Sequence, residues 1–332
     1  MQTRQHGKNG IKVSAIGLGC MGMTEVYGLT DESESIATIH ASLDAGITLL
    51  DTGDFYAMGS NEMLLRKALK GKSRNSYLLS VKFGGMRDPS GTFLGFDGRP
   101  NSVKNFLSYS LKRLSADYVD IYRPARIDPT VPIEDTVGAI ADMVKAGYVR
   151  HIGLSECGAN TIKRAHAVHP IIDLQIEYSL FSRGIESQIL PTCRDLGIGI
   201  TAYGVLSRGL LSGRWSKEKS AVKGDMRSHM PRFSSENVDH NLALVESLRS
   251  IANERGCTVA QLAIAWVLSQ GEDVVPVIGS RTREQLKETL GAIGIKLSKE
   301  DIARIGERIP ASSVAGTRYG VDQMSRLDSE KS

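Results

Sequence analysis

The chain has 332 residues, of which 41 are basic and 37 acidic, and its formal net charge is +4. The charges are spread along the sequence without a basic block of interleaved aromatic residues, which argues against a nucleic-acid or membrane surface. The N-terminus lacks an apolar signal core, and no apolar run approaches the ~18 residues of a membrane helix. We therefore expect a soluble, cytoplasmic protein that acts on a small molecule. The oligomeric state stays open.

Four cysteines, Cys20, Cys157, Cys193 and Cys257, lie far apart in the sequence. They form no CxxC motif and show no Cys/His spacing typical of a metal site. This pattern predicts reduced thiols, as in a cytosolic protein, and no bound metal.

The chain begins with a predicted β-hairpin at residues 3–15, because Asn9-Gly10 separates two alternating segments. Apolar, strand-like runs then alternate with amphipathic segments. The predicted strands are residues 15–20, 48–53, 77–83, 118–124, 149–156, 173–179, 197–204 and 274–279. The predicted helices are residues 33–45, 62–69, 103–114, 133–145, 161–168, 187–196, 259–268 and 282–293. Repeated strand–helix units of this number predict one α/β domain over residues 1–332, a (β/α)8 TIM barrel.

Three segments break this rhythm. Residues 208–237 are polar and too long for an ordinary loop, which predicts a flap over a substrate or cofactor site. A further helix is predicted at residues 239–255, and a C-terminal extra helix at 298–309 lies outside the barrel. Residues 311–332 form a tail that is either partly mobile or packed over the pocket.

Three titratable residues occur at the ends of two successive predicted strands. Asp51 and Tyr56 follow the second strand, and Lys82 ends the third. The carboxyl ends of parallel strands meet at one face of a barrel, so these side chains are expected to converge there. A nearby ammonium favours ionisation of a phenol, and a carboxylate keeps the lysine charged. This group suits the general acid that carbonyl reduction requires, although each residue alone fits a structural strand-end role.

The sequence Gly17-Leu-Gly-Cys-Met-Gly22 matches the GxGxxG pattern of dinucleotide-binding proteins. The helix that this fingerprint requires does not begin at the last glycine, which argues against a Rossmann fold. We interpret Gly19, Cys20 and Met21 as a strand-end turn that a cofactor approaches closely.

Several motifs in order resemble the aldo-keto reductases of bacteria and plants over nearly the whole chain. The matching segments are residues 16–23, 51–56, 59–62, 81–82, 147–156, 175–178, 202–206 and 277–282. The resemblance implies a (β/α)8 barrel that reduces aldehydes and ketones with NADPH. It also implies that Tyr56 is the general acid, that Lys82 lowers its pKa and that Asp51 holds Lys82.

The resemblance further implies that Ser155 and Gln175 hold the nicotinamide carboxamide and that Tyr203 stacks on the ring. Two other segments suit phosphates. The turn formed by Ser207, Arg208, Gly209 and Leu211 offers backbone amides and a guanidinium to a pyrophosphate. Gly279, Ser280, Arg281 and Gln285 lie where the last strand enters a helix, whose N-terminus favours anions. A 2′-phosphate fits there, so NADP(H) is the expected cofactor, although Arg281 also fits a solvated helix-start charge.

One position departs from the family pattern. The segment Asp120-Ile-Tyr-Arg-Pro-Ala125 carries alanine where the resemblance implies a catalytic histidine. Strand alternation places Arg123 on the same face as Ala125, so Arg123 is a candidate to supply the missing donor. The alternative is that Arg123 pairs with a carboxylate of the barrel and is structural.

The leading hypothesis is an NADPH-dependent reductase of a small-molecule carbonyl compound. A second is an NADP-binding regulatory module with weak turnover, because the histidine is absent. A third is a lyase that uses Lys82 as a Schiff base, which requires a lysine free of Asp51. The apolar rim candidates Phe55 and Met58 favour a neutral or aromatic substrate, together with Met23 and Phe83.

Overall fold

A computed structural model describes residues 1–24, 27–28, 30–216 and 225–331. Its strands, in chain order, are β1 (Thr3–His6), β2 (Ile11–Ser14), β3 (Gly17–Gly19), β4 (Leu49–Gly53), β5 (Leu78–Phe83), β6 (Gly85–Arg87), β7 (Phe93–Phe96), β8 (Val119–Pro124), β9 (Val149–Ser155), β10 (Ile171–Glu177), β11 (Gly199–Tyr203) and β12 (Val274–Gly279).

Eight of these strands close into a barrel. In chain order they are β3, β4, β5, β8, β9, β10, β11 and β12, each parallel to the next, and β12 pairs back to β3. Every residue of β4, β8 and β10 is buried, as expected for parallel strands covered on both faces. The predicted (β/α)8 barrel and N-terminal hairpin are confirmed.

Helices surround the barrel. They are α1 (Glu32–Asp44), α2 (Ser60–Leu69), α3 (Pro100–Leu114), α4 (Ile133–Lys145), α5 (Ala159–Val168), α6 (Ile189–Leu196), α7 (Val238–Ser247), α8 (Arg249–Glu254), α9 (Val259–Leu268), α10 (Arg283–Gly291), α11 (Lys299–Arg308) and α12 (Val321–Ser325). Several begin at capping residues that the sequence shows. Asp31 accepts a hydrogen bond from the Glu34 amide, and Thr258 and Ser298 each form a capping box.

One local prediction was wrong, and one pair of strands was not predicted. The helix expected at residues 239–255 is two helices, α7 and α8, which meet at Leu248. The Leu248 amide bonds the Val245 carbonyl three residues back, which tightens the turn and ends α7. An antiparallel hairpin of β6 and β7 also follows β5, and its strands are too short to show an alternating pattern in the sequence.

The barrel interior contains an apolar cluster, most of which lies near the amino ends of the strands. Its members are Val13, Leu49, Ile121, Ile172, Val275 and Val277. Val13 belongs to β2, so the N-terminal hairpin closes this end. The next inward residues towards the carboxyl ends are polar and buried, including Asp51, Ser80, Arg123 and Asp173. Strand alternation therefore directs polar groups to the end where βα loops form sites.

The tail packs against the carboxyl end of the barrel. The Gly158 amide donates to the Asp328 carboxylate at 2.7 Å, and the Ser329 amide donates to the Glu156 carbonyl at 3.1 Å. The described part of the tail therefore contacts the end of the barrel at which βα loops form sites. Within the described ranges, no helix combines the length and apolar character needed to cross a membrane.

Candidate active site

A cavity of about 750 Å³ opens at the carboxyl ends of the barrel strands. The predicted site residues that line it are Gly19, Met21, Asp51, Tyr56, Lys82, Gln175, Tyr203, Arg208, Gly209, Gly279, Arg281 and Gln285. The predicted residues that are buried and do not line it are Cys20, Arg123, Ser155, Ser207, Leu211 and Ser280. Of the apolar rim candidates, Phe55 lines the cavity, Met58 is 66% exposed, and Met23 and Phe83 belong to the core.

Asp51, Lys82 and Tyr56 converge at the base of this cavity. The Lys82 ammonium donates to Asp51 Oδ2 at 2.6 Å, and Gln175 Nε2 donates to Asp51 Oδ1 at 2.8 Å. Lys82 Nζ lies 5.0 Å from the centroid of the Tyr56 ring. The pairing with Asp51 removes the free lysine that the lyase hypothesis requires.

Burial has the largest effect on the pKa values of Tyr56 and Lys82. It raises the pKa of Tyr56 well above its usual value, Asp51 adds to the rise, and the Arg126 guanidinium opposes it. The pKa of Lys82 is lowered by burial, and the Asp51 carboxylate counteracts part of that fall. Tyr56 therefore keeps its proton at neutral pH, and the expectation that Lys82 lowers its pKa is corrected, because burial and Asp51 raise it.

A tight turn between β4 and α2 aims Tyr56 at the cavity. Ala57, Met58 and Gly59 have φ angles of 45°, 51° and 92°, so three successive residues are left-handed. Such backbone costs about 1 kcal/mol or more for each non-glycine residue and persists only where the surroundings hold it. Asn61 supplies part of that support, because it donates to the Cys20 carbonyl at 2.8 Å and accepts from Thr52 Oγ1 at 2.7 Å.

Arg123 lies inside the barrel, below the cavity. Its guanidinium is 2.8 Å from Asp173 Oδ2 and donates to Ser80 Oγ at 2.6 Å, and both charged side chains are fully buried. Ser80 in turn donates to Asp51 Oδ1 at 2.9 Å. The structural alternative for Arg123, pairing with a barrel carboxylate, is what the structure shows. The expectation that Arg123 points into the pocket was therefore wrong. A role in catalysis stays a prediction, and Arg123 would exert it through Ser80 and Asp51.

The two residues after β8, Ala125 and Arg126, both line the cavity but differ in exposure. Ala125 is almost fully buried, with its amide bonded to the Phe83 carbonyl at 2.9 Å. The half-buried Arg126 lines the cavity, donates to the Ala125 carbonyl at 2.6 Å and lies 3.4 Å from the Tyr319 hydroxyl. Arg126 was not predicted as a site residue, although it belongs to the segment in which the histidine is absent.

Ser155 and Gln175 are neighbours in register on β9 and β10. The Ser155 hydroxyl is buried and has no hydrogen-bond partner among the described residues. A buried hydroxyl without a partner is costly, so a polar ligand group would stabilise it. This observation fits the predicted carboxamide contact.

Tyr203 is held from two sides. Its hydroxyl donates to Glu156 Oε1 at 2.7 Å and lies 3.0 Å from the Tyr319 hydroxyl of the tail. Burial would raise the pKa of the Glu156 carboxyl, but Arg318, with bonds of 2.8 and 2.6 Å, holds it well below the usual range. No feature of the sequence indicated the contacts among Glu156, Arg318 and Tyr319, because only folding brings the tail next to β9.

In the turn predicted to bind a pyrophosphate, most backbone amides already donate hydrogen bonds to the protein. The Ser207 amide donates to the Gly204 carbonyl, and the amides of Gly209 and Leu211 both donate to the Leu206 carbonyl, just before the turn. Arg208 pairs with Glu177 at 3.0 Å and its guanidinium lies 4.6 Å from the centroid of the Tyr319 ring. Arg208 and Gly209 remain at the cavity surface, so their contact with a cofactor stays a prediction.

The N-terminus of α10 borders the cavity on the side of β12. The Arg281 amide donates to Gln285 Oε1 at 2.8 Å, and its guanidinium donates to the Tyr27 carbonyl at 3.2 Å. In the neighbouring position, Arg283 pairs with Glu34 of α1 at 2.8 Å. Arg281 has no carboxylate within 4.0 Å among the described residues, so its charge is available to an anion.

Several described residues of the predicted flap line the cavity. Trp215 and Arg227 face it, with the Arg227 guanidinium 4.4 Å from the Trp215 ring centroid and paired with Asp225. The flap prediction also covers residues 217–224, which lie outside the described residues. In the described chain all four cysteines are free, and no group of three metal-ligating side chains occurs.

A closed (β/α)8 barrel whose mouth brings together a buried lysine–aspartate pair and a half-buried tyrosine is typical of a class of barrel oxidoreductases. The model of the Aldo/keto reductase family matches residues 15–309. The chain is 42% identical over 326 residues to the probable aldo-keto reductase 1 of Glycine max, covering 96% of this chain and 92% of that protein. The chain therefore belongs to the aldo/keto reductase family, whose members oxidise and reduce carbonyl compounds.

Solved structures agree with this assignment. The glycerol dehydrogenase of Gluconobacter oxydans superposes with a TM-score of 0.84 at 28% identity, over 95% of this chain and 98% of that one. An aldo-keto reductase of Bacillus halodurans in its holo form gives a TM-score of 0.79 at 27% identity, over 94% and 97% of the two chains.

Proposed function

We propose that the protein is an NADPH-dependent reductase that converts small aldehydes or ketones to alcohols. The observation that carries the proposal is the convergence of Asp51, Lys82 and the protonated Tyr56 at one wall of the cavity. A phenol that keeps its proton in a water-poor site is suited to donate it to an oxygen that develops negative charge.

A reduced nicotinamide supplies a hydride when it is bound. Ser155 and Gln175 would hold its carboxamide, and Tyr203 would lie against its ring. Arg281 at the start of α10 would hold the 2′-phosphate, which is the basis for preferring NADP(H) over NAD(H). The uncompensated Ser155 hydroxyl and the uncompensated Arg281 charge both fit such a cofactor.

The proposed catalytic residues have different roles at the substrate oxygen. Tyr56 donates its proton to that oxygen. Lys82 and Asp51 form a buried ion pair that sets the electrostatic environment behind the phenol. Gln175 and Ser80 both donate to Asp51 and so keep that carboxylate oriented towards Lys82.

Replacing Tyr56 by Phe tests this proposal. We expect the variant to lower kcat by ~10²-fold or more, because the general acid is lost, and to leave NADPH affinity nearly unchanged. Turnover is followed as NADPH oxidation with a panel of aldehydes, and binding as quenching of Trp215, which lines the cavity. The matched control is Tyr109→Phe at an exposed position.

The same measurements decide between the reductase and the regulatory module. The absence of the histidine at Ala125 is the observation that favours the module. NADPH binding without turnover of any aldehyde by the parent protein would support it. Full activity of Tyr56→Phe would show that another group is the acid.

A further inference from the structure

We propose that Arg126 is the substrate anchor of this reductase and that the preferred substrates are aldehydes or ketones that carry a carboxylate. This inference rests on the proposed function and specifies the substrate class of the same site. Ala125 forms part of the cavity wall at the end of β8. Because alanine is short, Arg126 is the first large side chain that reaches the cavity after β8.

The cations of the cavity differ in how they are neutralised. Lys82, Arg208 and Arg227 pair with Asp51, Glu177 and Asp225, and Arg214 pairs with Glu288. Among the cations that line the cavity, Arg126 and Arg281 have no carboxylate of a described residue within 4.0 Å. The hydrogen bonds of Arg126 go to neutral oxygens, the Ala125 carbonyl and the Tyr319 hydroxyl. A half-buried guanidinium with neutral partners favours an anionic ligand.

The barrel separates these two charges. In the closed strand order β12 and β8 are four strands apart in a ring of eight, so they lie on opposite sides. Arg281 follows β12, where the cofactor phosphate is proposed. Arg126 follows β8, which pairs with the Lys82 strand, and that strand pairs with the one leading to Tyr56. The Arg126 charge is therefore on the side of the proton donor.

The Glu156 carboxylate near Arg126 forms no ion pair with its guanidinium. Glu156 acts on Arg126 through space, but its two oxygens are occupied by Arg318, by the hydroxyls of Tyr203 and Ser329, and by the Glu177 amide. Arg318 binds both oxygens of Glu156 in a bidentate pair, and Arg126 makes no direct contact with that carboxylate. A substrate carboxylate on Arg126 would place the carbonyl of the same small molecule towards Tyr56.

The test compares 4-carboxybenzaldehyde with its methyl ester, and phenylglyoxylate with its methyl ester. The carboxylate is far from the carbonyl in the first pair and next to it in the second. The comparison therefore also tests which distance between carboxylate and carbonyl fits the site. We expect the parent protein to prefer at least one carboxylate in kcat/KM. In Arg126→Met the carboxylate-to-ester ratio should fall by at least tenfold, mainly through KM, and Arg126→Lys should restore part of it.

Arg164→Met is the matched control, because it removes one exposed guanidinium on α5 far from the cavity and should keep the parent ratio. An unchanged ratio in Arg126→Met, or a parent that prefers both esters, would overturn the inference while leaving the reductase function intact. Calorimetry with 4-(hydroxymethyl)benzoate and its methyl ester, with and without NADPH, gives a second readout. Equal binding of the carboxylate by the parent and Arg126→Met would overturn the inference even if no carbonyl is turned over.

Discussion

Single side chains at the top of this barrel are oriented by partners on neighbouring strands. Arg123 bonds Ser80, Ser80 bonds Asp51, and Asp51 holds Lys82, so a chain of contacts leads from the interior to the active site. At the interior end, the carboxylate of Asp173 is shared by Arg123 and by His6 of the N-terminal hairpin at 2.7 Å. Arg123 is thus suited to a positioning role.

Replacing Arg123 by Met should lower the free energy of unfolding by roughly 3–5 kcal/mol, because the buried Asp173 carboxylate loses its guanidinium partner. Denaturant unfolding measures the effect. The double variant Arg123→Met/Asp173→Asn should recover part of the loss, since it removes the uncompensated charge.

Activity of the folded Arg123→Met variant separates the two roles of this residue. A positioning role predicts that kcat falls together with stability and that Arg123→Lys retains much of both. Loss of kcat with parental stability would instead indicate direct participation in catalysis.

At the scale of elements, two irregular segments complete the site. The left-handed turn after β4 presents Tyr56, and the C-terminal tail brings Arg318 and Tyr319 over β9 and β11. Arg318 is buried against Glu156, so its ion pair ties the tail to the barrel. Tyr319 of the tail therefore forms part of the cavity wall.

Replacing Arg318 by Met should release the tail, because Glu156 would lose its bidentate partner in a buried place. We expect hydrogen exchange of the amides in residues 314–331 to accelerate by roughly 10²-fold, equivalent to about 3 kcal/mol. The control is Arg326→Met at an exposed position of the same tail. Equal exchange in both variants would show that other contacts hold the tail.

At the scale of the whole molecule, the closed barrel links cofactor binding to stability. A ligand that binds only the folded state at 100 times its Kd stabilises it by about 2.7 kcal/mol. The proposed contact between Arg281 and the 2′-phosphate then makes a difference between NADPH and NADH visible in the melting temperature.

Arg281→Ala should reduce the rise in Tm caused by NADPH and leave the rise caused by NADH unchanged, because NADH lacks the 2′-phosphate. Thermal unfolding at equal concentrations of the two cofactors measures this. Arg283→Ala is the neighbouring control, since its guanidinium is paired with Glu34. Equal losses for both cofactors would exclude Arg281 as the reader of that phosphate.

Local patterns in the sequence were sufficient for the barrel and for the Asp51, Lys82 and Tyr56 group. Strand periodicity, turn residues and caps depend on a few neighbouring residues, and parallel strands necessarily bring their carboxyl ends together. The same reasoning could not assign Arg123, because strand alternation gives the face of a side chain but not its depth in the barrel.

Tertiary structure decided the remaining features of the site. Arg318 meets Glu156 across 162 positions of the chain, and Tyr319 meets Tyr203 across 116. Contacts at such separations leave no periodic signal, since they depend on how the tail and the barrel pack in three dimensions. The sequence alone therefore determined the fold and the residue types available for catalysis, whereas packing determined which charges are neutralised and left Arg126 facing the cavity.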